Sequence, residues 1–79
     1  MKLPRDLSGR ELADALCRHW DYHQLHQAGS HIILETATPT HHRLAVPAHQ
    51  ALRVGTLNSI LRSVAVHKGL SRDALIDAL

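Results

Sequence analysis

The chain predicts an α+β domain: a small three-stranded antiparallel sheet with helices on one face, ordered α-β-β-β-α, with a short C-terminal helix after it. Three observations predict this. Leu12, Ala15, Leu16, His19 and Trp20 fall at i, i+3, i+4, i+7 and i+8, one face of an amphipathic helix. The stretch from Tyr22 to Val46 instead reads with a period of two, broken at Gly29-Ser30 and Thr38-Pro39-Thr40. Helical spacing returns at Leu57, Ile60, Leu61, Val64 and Ala65, with Asn58, Ser59, Arg62 and Ser63 opposite.

The first helix opens on a capping box, Ser8 with Glu11, and Leu7 is placed to staple onto Leu12; it ends between Arg18 and Trp20. Tyr22, Gln24 and His26 alternate with His23, Leu25 and Gln27, an exposed strand with a weak pattern. A second strand, His31 to Ala37, sets Ile32, Leu34 and Thr36 on one face and His31, Ile33 and Glu35 on the other. The third runs from His42 to Val46, with Leu44 and Val46 inward and Arg43 and Ala45 outward, and Pro47 ends it. Gly55-Thr56 supplies the break and the N-cap of the second helix, and Gly69 stops it. Ser71 caps the last helix, Arg72 to Leu79, with Leu70 and Leu75 as a second staple. One face of the sheet is left for a ligand.

Seventy-nine residues, without an internal repeat, make a single domain over 1–79. The one cysteine, Cys17, forms no internal disulfide, which fits a reducing cytosol and assigns the thiol to packing. The opening Met1-Lys2-Leu3-Pro4-Arg5-Asp6 lacks the apolar run of a signal peptide, and nothing approaches membrane length. A soluble, cytoplasmic protein is expected. Nine lysines and arginines against seven acids give a formal charge of +2, too small alone to indicate nucleic acid. The distribution says more: between residues 22 and 72 Glu35 is the one acid, against Arg43, Arg53, Arg62, Lys68 and Arg72. Eight histidines add positive charge as the pH falls through about 6.5.

The first candidate for chemistry is Gly29-Ser30-His31. A Gly-Ser turn gives a tight backbone, and the residue that leaves it, at the first position of a strand, is the side chain best suited to move a proton near neutrality. Arg43, on the same face, is a fixed charge for a phosphate. Spacing alone favours a plain polar residue after a turn. Glu35 lies about 13 Å along the strand from His31 and cannot orient it. Arg53-Val54-Gly55-Thr56 is a second candidate, a phosphate grip at a helix start, or an ordinary N-cap. His19, His23 and His26, with His41 and His42, are a third, as metal ligands if the first helix runs on; their spacing matches no zinc module, and surface histidines without a ligand role explain them better.

Five segments stand in a fixed order and separation: Leu7-Ser8-Gly9-Arg10-Glu11-Leu12, Gly29-Ser30-His31, Val46-Pro47-Ala48-His49, Val54-Gly55-Thr56-Leu57-Asn58-Ser59-Ile60-Leu61-Arg62 and Gly69-Leu70-Ser71. Through them, and across nearly its whole length, the chain resembles the HicA-type toxins, the ribonuclease (mRNA interferase) half of HicA–HicB toxin–antitoxin pairs. The resemblance implies a fold like that of double-stranded-RNA-binding domains. It also implies metal-independent cleavage of messenger RNA without a cofactor, with His31 catalytic, and neutralisation by a HicB-like antitoxin. Gly29 and Ser30 would aim the imidazole, acting as general base on a ribose 2′-hydroxyl. Arg43, Arg53 and Thr56 are inferred phosphate contacts, and His42 or His49 could serve as general acid. With one tryptophan, one tyrosine and no phenylalanine, base stacking is limited and loose sequence selectivity is expected. A non-catalytic RNA-binding module of the same fold, blocking translation, is the alternative reading.

Overall fold

A computed structural model describes residues 6–79. The opening segment 1–5, read above for a leader, lies outside the described residues. The order is α1 (Gly9–His19), β1 (His23–Ala28), β2 (His31–Thr36), β3 (His42–Pro47), α2 (Val54–Lys68) and α3 (Arg72–Asp77). The strands form one antiparallel sheet in the order β1-β2-β3. This is the α-β-β-β-α architecture with a terminal helix that the periodicities predict.

Register explains which residues are buried. Ile32 faces Val46 and Leu34 faces Leu44 across β2 and β3, and this face lies under the helices. Leu12 and Leu16 of α1 join Leu57, Leu61 and Val64 of α2 in the same cluster, and Leu75 of α3 closes it. These six and the strand residues Ile32, Leu34 and Val46 are all at or below 1 % exposure, so the small core is shut off from bulk solvent. Full burial of such aliphatics stabilises by roughly 1.5–3 kcal/mol each, the main driving force for a chain without a disulfide.

The capping box at α1 forms as read: Glu11 N–H donates to Ser8 Oγ at 3.0 Å, and Ser8 N–H donates to Glu11 Oε1 at 3.1 Å. Five elements differ from the sequence reading. The second helix starts at Val54, with Arg53 as an N-cap that makes no side-chain cap bond; Gly55 and Thr56 therefore lie inside the first turn. β1 carries a bulge, since Gln24 pairs with Leu34 but His26 pairs with Ile33. Leu25 is the inserted residue, and the bulge moves His26 onto the face of His23 instead of that of Gln24. Finally, β2 stops at Thr36, β3 includes Pro47, and the last helix ends at Asp77. Pro47 is tolerated because it is the last residue of an edge strand.

Candidate functional site

The face of the sheet away from the helices carries three cross-strand rows. Ala28, His31 and Pro47 form the first, His26, Ile33 and Ala45 the second, and His23, Glu35 and Arg43 the third. His31 is exposed at the head of β2. The two-residue turn before it places Gly29 at φ 59, a left-handed value that a glycine adopts without strain. Ser30 is held by its carbonyl, which accepts from Ala48 N–H at 2.6 Å. His31 is thus aimed by a tight hairpin fastened to the segment that follows β3, and among the described residues no side-chain hydrogen bond occupies its ring.

That fastening continues. Gly9 N–H donates to the His49 carbonyl at 2.9 Å, and Leu52 N–H donates to the Leu7 carbonyl at 2.8 Å. The start of α1 therefore draws the 48–52 segment, and with it the N-terminus of α2, to the end of the molecule that carries the turn. Arg53 is exposed there and Thr56 is half-buried in the first helical turn. His49 follows Pro47, the partner of His31, by two residues. Its Cα is within roughly 12 Å of that of His31.

Arg43 is at the other end. It sits opposite Glu35 in register, and its guanidinium lies 3.4 Å from the Glu35 carboxylate. Four residues of strand separate that row from His31, about 13 Å. Arg43 shares the face of His31 but makes no direct contact with it, and its guanidinium is turned onto Glu35. Around Glu35 the structure gathers a set of basic side chains: His41 is hydrogen-bonded to it, His23 is 3.8 Å away, and Arg43 completes the set. The His41 hydrogen bond, aided by the charges of His41 and Arg43, holds the Glu35 carboxyl below its ordinary value.

His19 ends α1 while His23 and His26 lie on β1, so the three do not line one helical face. Among the described residues no group of three or more histidines, cysteines or acids is arranged to hold a metal. The Cys17 thiol is pushed up by burial, with the Asp14 charge adding to it, as suits a packing residue.

A second polar cluster was invisible in the sequence because its members come from three distant segments. His42 Nδ1 is 2.9 Å from the Tyr22 hydroxyl, and its Nε2 is 3.3 Å from Ser63 Oγ. The His42 ring stacks on His67, centroids 4.4 Å apart at 21°, and His67 Nε2 donates to the Thr40 carbonyl at 2.9 Å. Burial, then the charges of His67, His41 and Lys68, depresses the His42 pKa. Tyr22 is 3 % exposed and its phenol is pushed up to about 12 by burial, so it remains protonated. This bonding, five residues along β3 from Pro47, removes His42 from the candidates for an acid beside His31. No helix among the described residues is long and apolar enough to cross a membrane. Comparison with protein-family models, with curated proteins and with solved structures finds no match for the chain.

Proposed function

We propose that this chain is a metal-independent endoribonuclease, the toxin half of a pair of the HicA–HicB kind, acting on messenger RNA in the cytoplasm. The observation that carries the reading is the presentation of His31: exposed, first in its strand, on the uncovered sheet face, and set by a Gly29 turn pinned through Ser30 to Ala48.

In the proposed reaction, His31 takes the proton of a ribose 2′-hydroxyl, and that oxygen attacks the adjacent phosphorus. The bond to the 5′-oxygen breaks, leaving a 2′,3′-cyclic phosphate and a 5′-hydroxyl end. Of the two histidines considered as general acid, His49 is the one the 48–52 segment brings to this end of the sheet. Arg53 and the first turn of α2 stand at the same end as cationic and N–H groups for the backbone. Arg43 serves a different phosphate of the same strand. An antitoxin that covers the open face masks His31 sterically.

Induced expression of the wild-type chain alone should arrest growth with loss of transcript integrity, and His31→Ala should abolish both while melting normally. Equal toxicity of the variant refutes the catalytic assignment. Intact transcripts after incubation with purified wild-type protein favour the translation-blocking RNA binder instead.

A further inference from the structure

A groove of about 400 Å³ opens between α2 and the start of β3, lined by His42, Ser59, Arg62, Ser63, Val66 and His67. Its size falls in the lower part of the range for small-molecule sites. None of the contacts argued above for His31 reaches it. From His42 to Pro47, the partner of His31, is five residues of strand, about 17 Å.

Three features of its walls point to an occupant. The first is the His42–His67 stack, whose rings are both immobilised, one by Tyr22 and Ser63 and the other by the Thr40 carbonyl. A stacking surface already fixed in place loses little entropy when a second flat ring is laid against it. The second is Val66, which is 79 % exposed on a helix whose apolar stripe faces the core, so its methyl groups flank the groove without a protein partner. The third is Arg62: among the described residues no carboxylate lies within ion-pair distance of it. Ser59 and Ser63 stand one helical turn apart beside it and offer hydroxyls.

A flat aromatic platform, an apolar wall, two hydroxyls and an unpaired guanidinium are together the chemistry that receives one unstacked nucleotide. We infer that this groove is a subsite for a single unpaired nucleotide of an RNA strand, its base laid against the His42–His67 pair and its phosphate held by Arg62. The inference rests on the reading of the chain as an RNA-acting protein and adds a position where an unstacked base of any identity is held, although the chain has few aromatic residues.

The test uses a short single-stranded oligoribonucleotide carrying one 2-aminopurine, titrated into the full-length His31→Ala protein so that binding is read without cleavage. Quenching of the base fluorescence is expected. His67→Ala should weaken binding by roughly tenfold. Arg62→Gln should reduce the salt slope of the affinity by about one. Because His67 also contacts Thr40, a second variant keeps the test sound: Val66→Asp changes an exposed residue, should melt like its parent, and should weaken binding by a similar factor. Unchanged affinity and salt slope in Val66→Asp and Arg62→Gln would overturn the subsite. Unchanged RNA binding with loss of antitoxin capture in Val66→Asp would also overturn it, by giving the groove to a protein. Failure of the nuclease reading looks different: the wild-type protein leaves RNA uncut while the groove variants still lose affinity.

Discussion

Substituting Gly9 by alanine tests the fastening that aims His31. A Cβ at this position would lie 1.8 Å from the Pro47 carbonyl oxygen, 2.8 Å from its carbon and 3.1 Å from Ala48 Cα. Real Cβ contacts stay beyond about 3.0 Å, so α1 and the end of β3 must separate by about 1.2 Å. The obstacle is backbone, which cannot swing aside as a side chain would. Such overpacking costs about 3 kcal/mol, and the Gly9–His49 hydrogen bond, worth about 1 kcal/mol net, breaks with it. The higher helix propensity of alanine offsets up to about 1 kcal/mol. The net loss is about 3 kcal/mol, a fall in Tm of roughly 10–25 °C for a domain of this size. Thermal and urea unfolding followed by circular dichroism measure it. Gly55→Ala is the control: nothing lies within 4 Å of its Cβ, and it should stabilise by up to about 1 kcal/mol. If Gly9→Ala stays within 1 kcal/mol of its parent, or Gly55→Ala loses as much, the close approach does not fasten the two segments.

Lys68→Met should lose about 2–3 kcal/mol by urea midpoint, because Lys68 Nζ donates to buried Thr36 Oγ1 at 2.9 Å, to the Thr38 carbonyl at 2.7 Å and to Thr38 Oγ1 at 3.0 Å. A loss below about 1 kcal/mol would show that the ammonium is replaced by water at little cost. Ser8→Ala should lose about 1 kcal/mol by removing the α1 cap, read from the same denaturation curves. Stability should fall with acid in two stages. The His42 pKa lies below its ordinary 6.5, so the unfolded chain takes that proton first, and stability is full above that pH and declines below it. The Glu35 pKa lies below its ordinary 4.5, so its contribution holds above that pH and is lost on further acidification. His42→Gln should erase the first stage alone in unfolding curves taken across the pH range.

What could be read from the sequence was local. The Ser8–Glu11 cap, the α2 stripe and the Gly29-Ser30 turn each depend on residues a few positions apart, and each forms where expected. The start of α2 did not follow the same logic. A Gly-Thr pair suggests a side-chain cap, but the helix entry is set by backbone bonds from 48–52 to Leu7, Gly9 and Ser30, which leave no mark on the residues involved. β1 was faint because every residue in it is exposed, so burial imposes no alternation, and the bulge at Leu25 breaks what pattern there is. Arg43 lies on the expected face, but its engagement by Glu35 depends on the β2–β3 register, which the spacing within one strand does not give. The groove was out of reach, since Tyr22, His42 and Ser63 meet across about twenty residues on each side.

The irregularity at Leu25 has a bearing on self-association. A polypeptide edge that is straight and regularly spaced invites a neighbouring molecule to zip onto it, and repeated zipping builds fibres. Here the outer margin of β1 is kinked partway along and lined with imidazoles and carboxamides, so an incoming copy meets a ladder whose rungs fall out of step. A small protein with a single core and one open face keeps that margin from becoming a seed for aggregation.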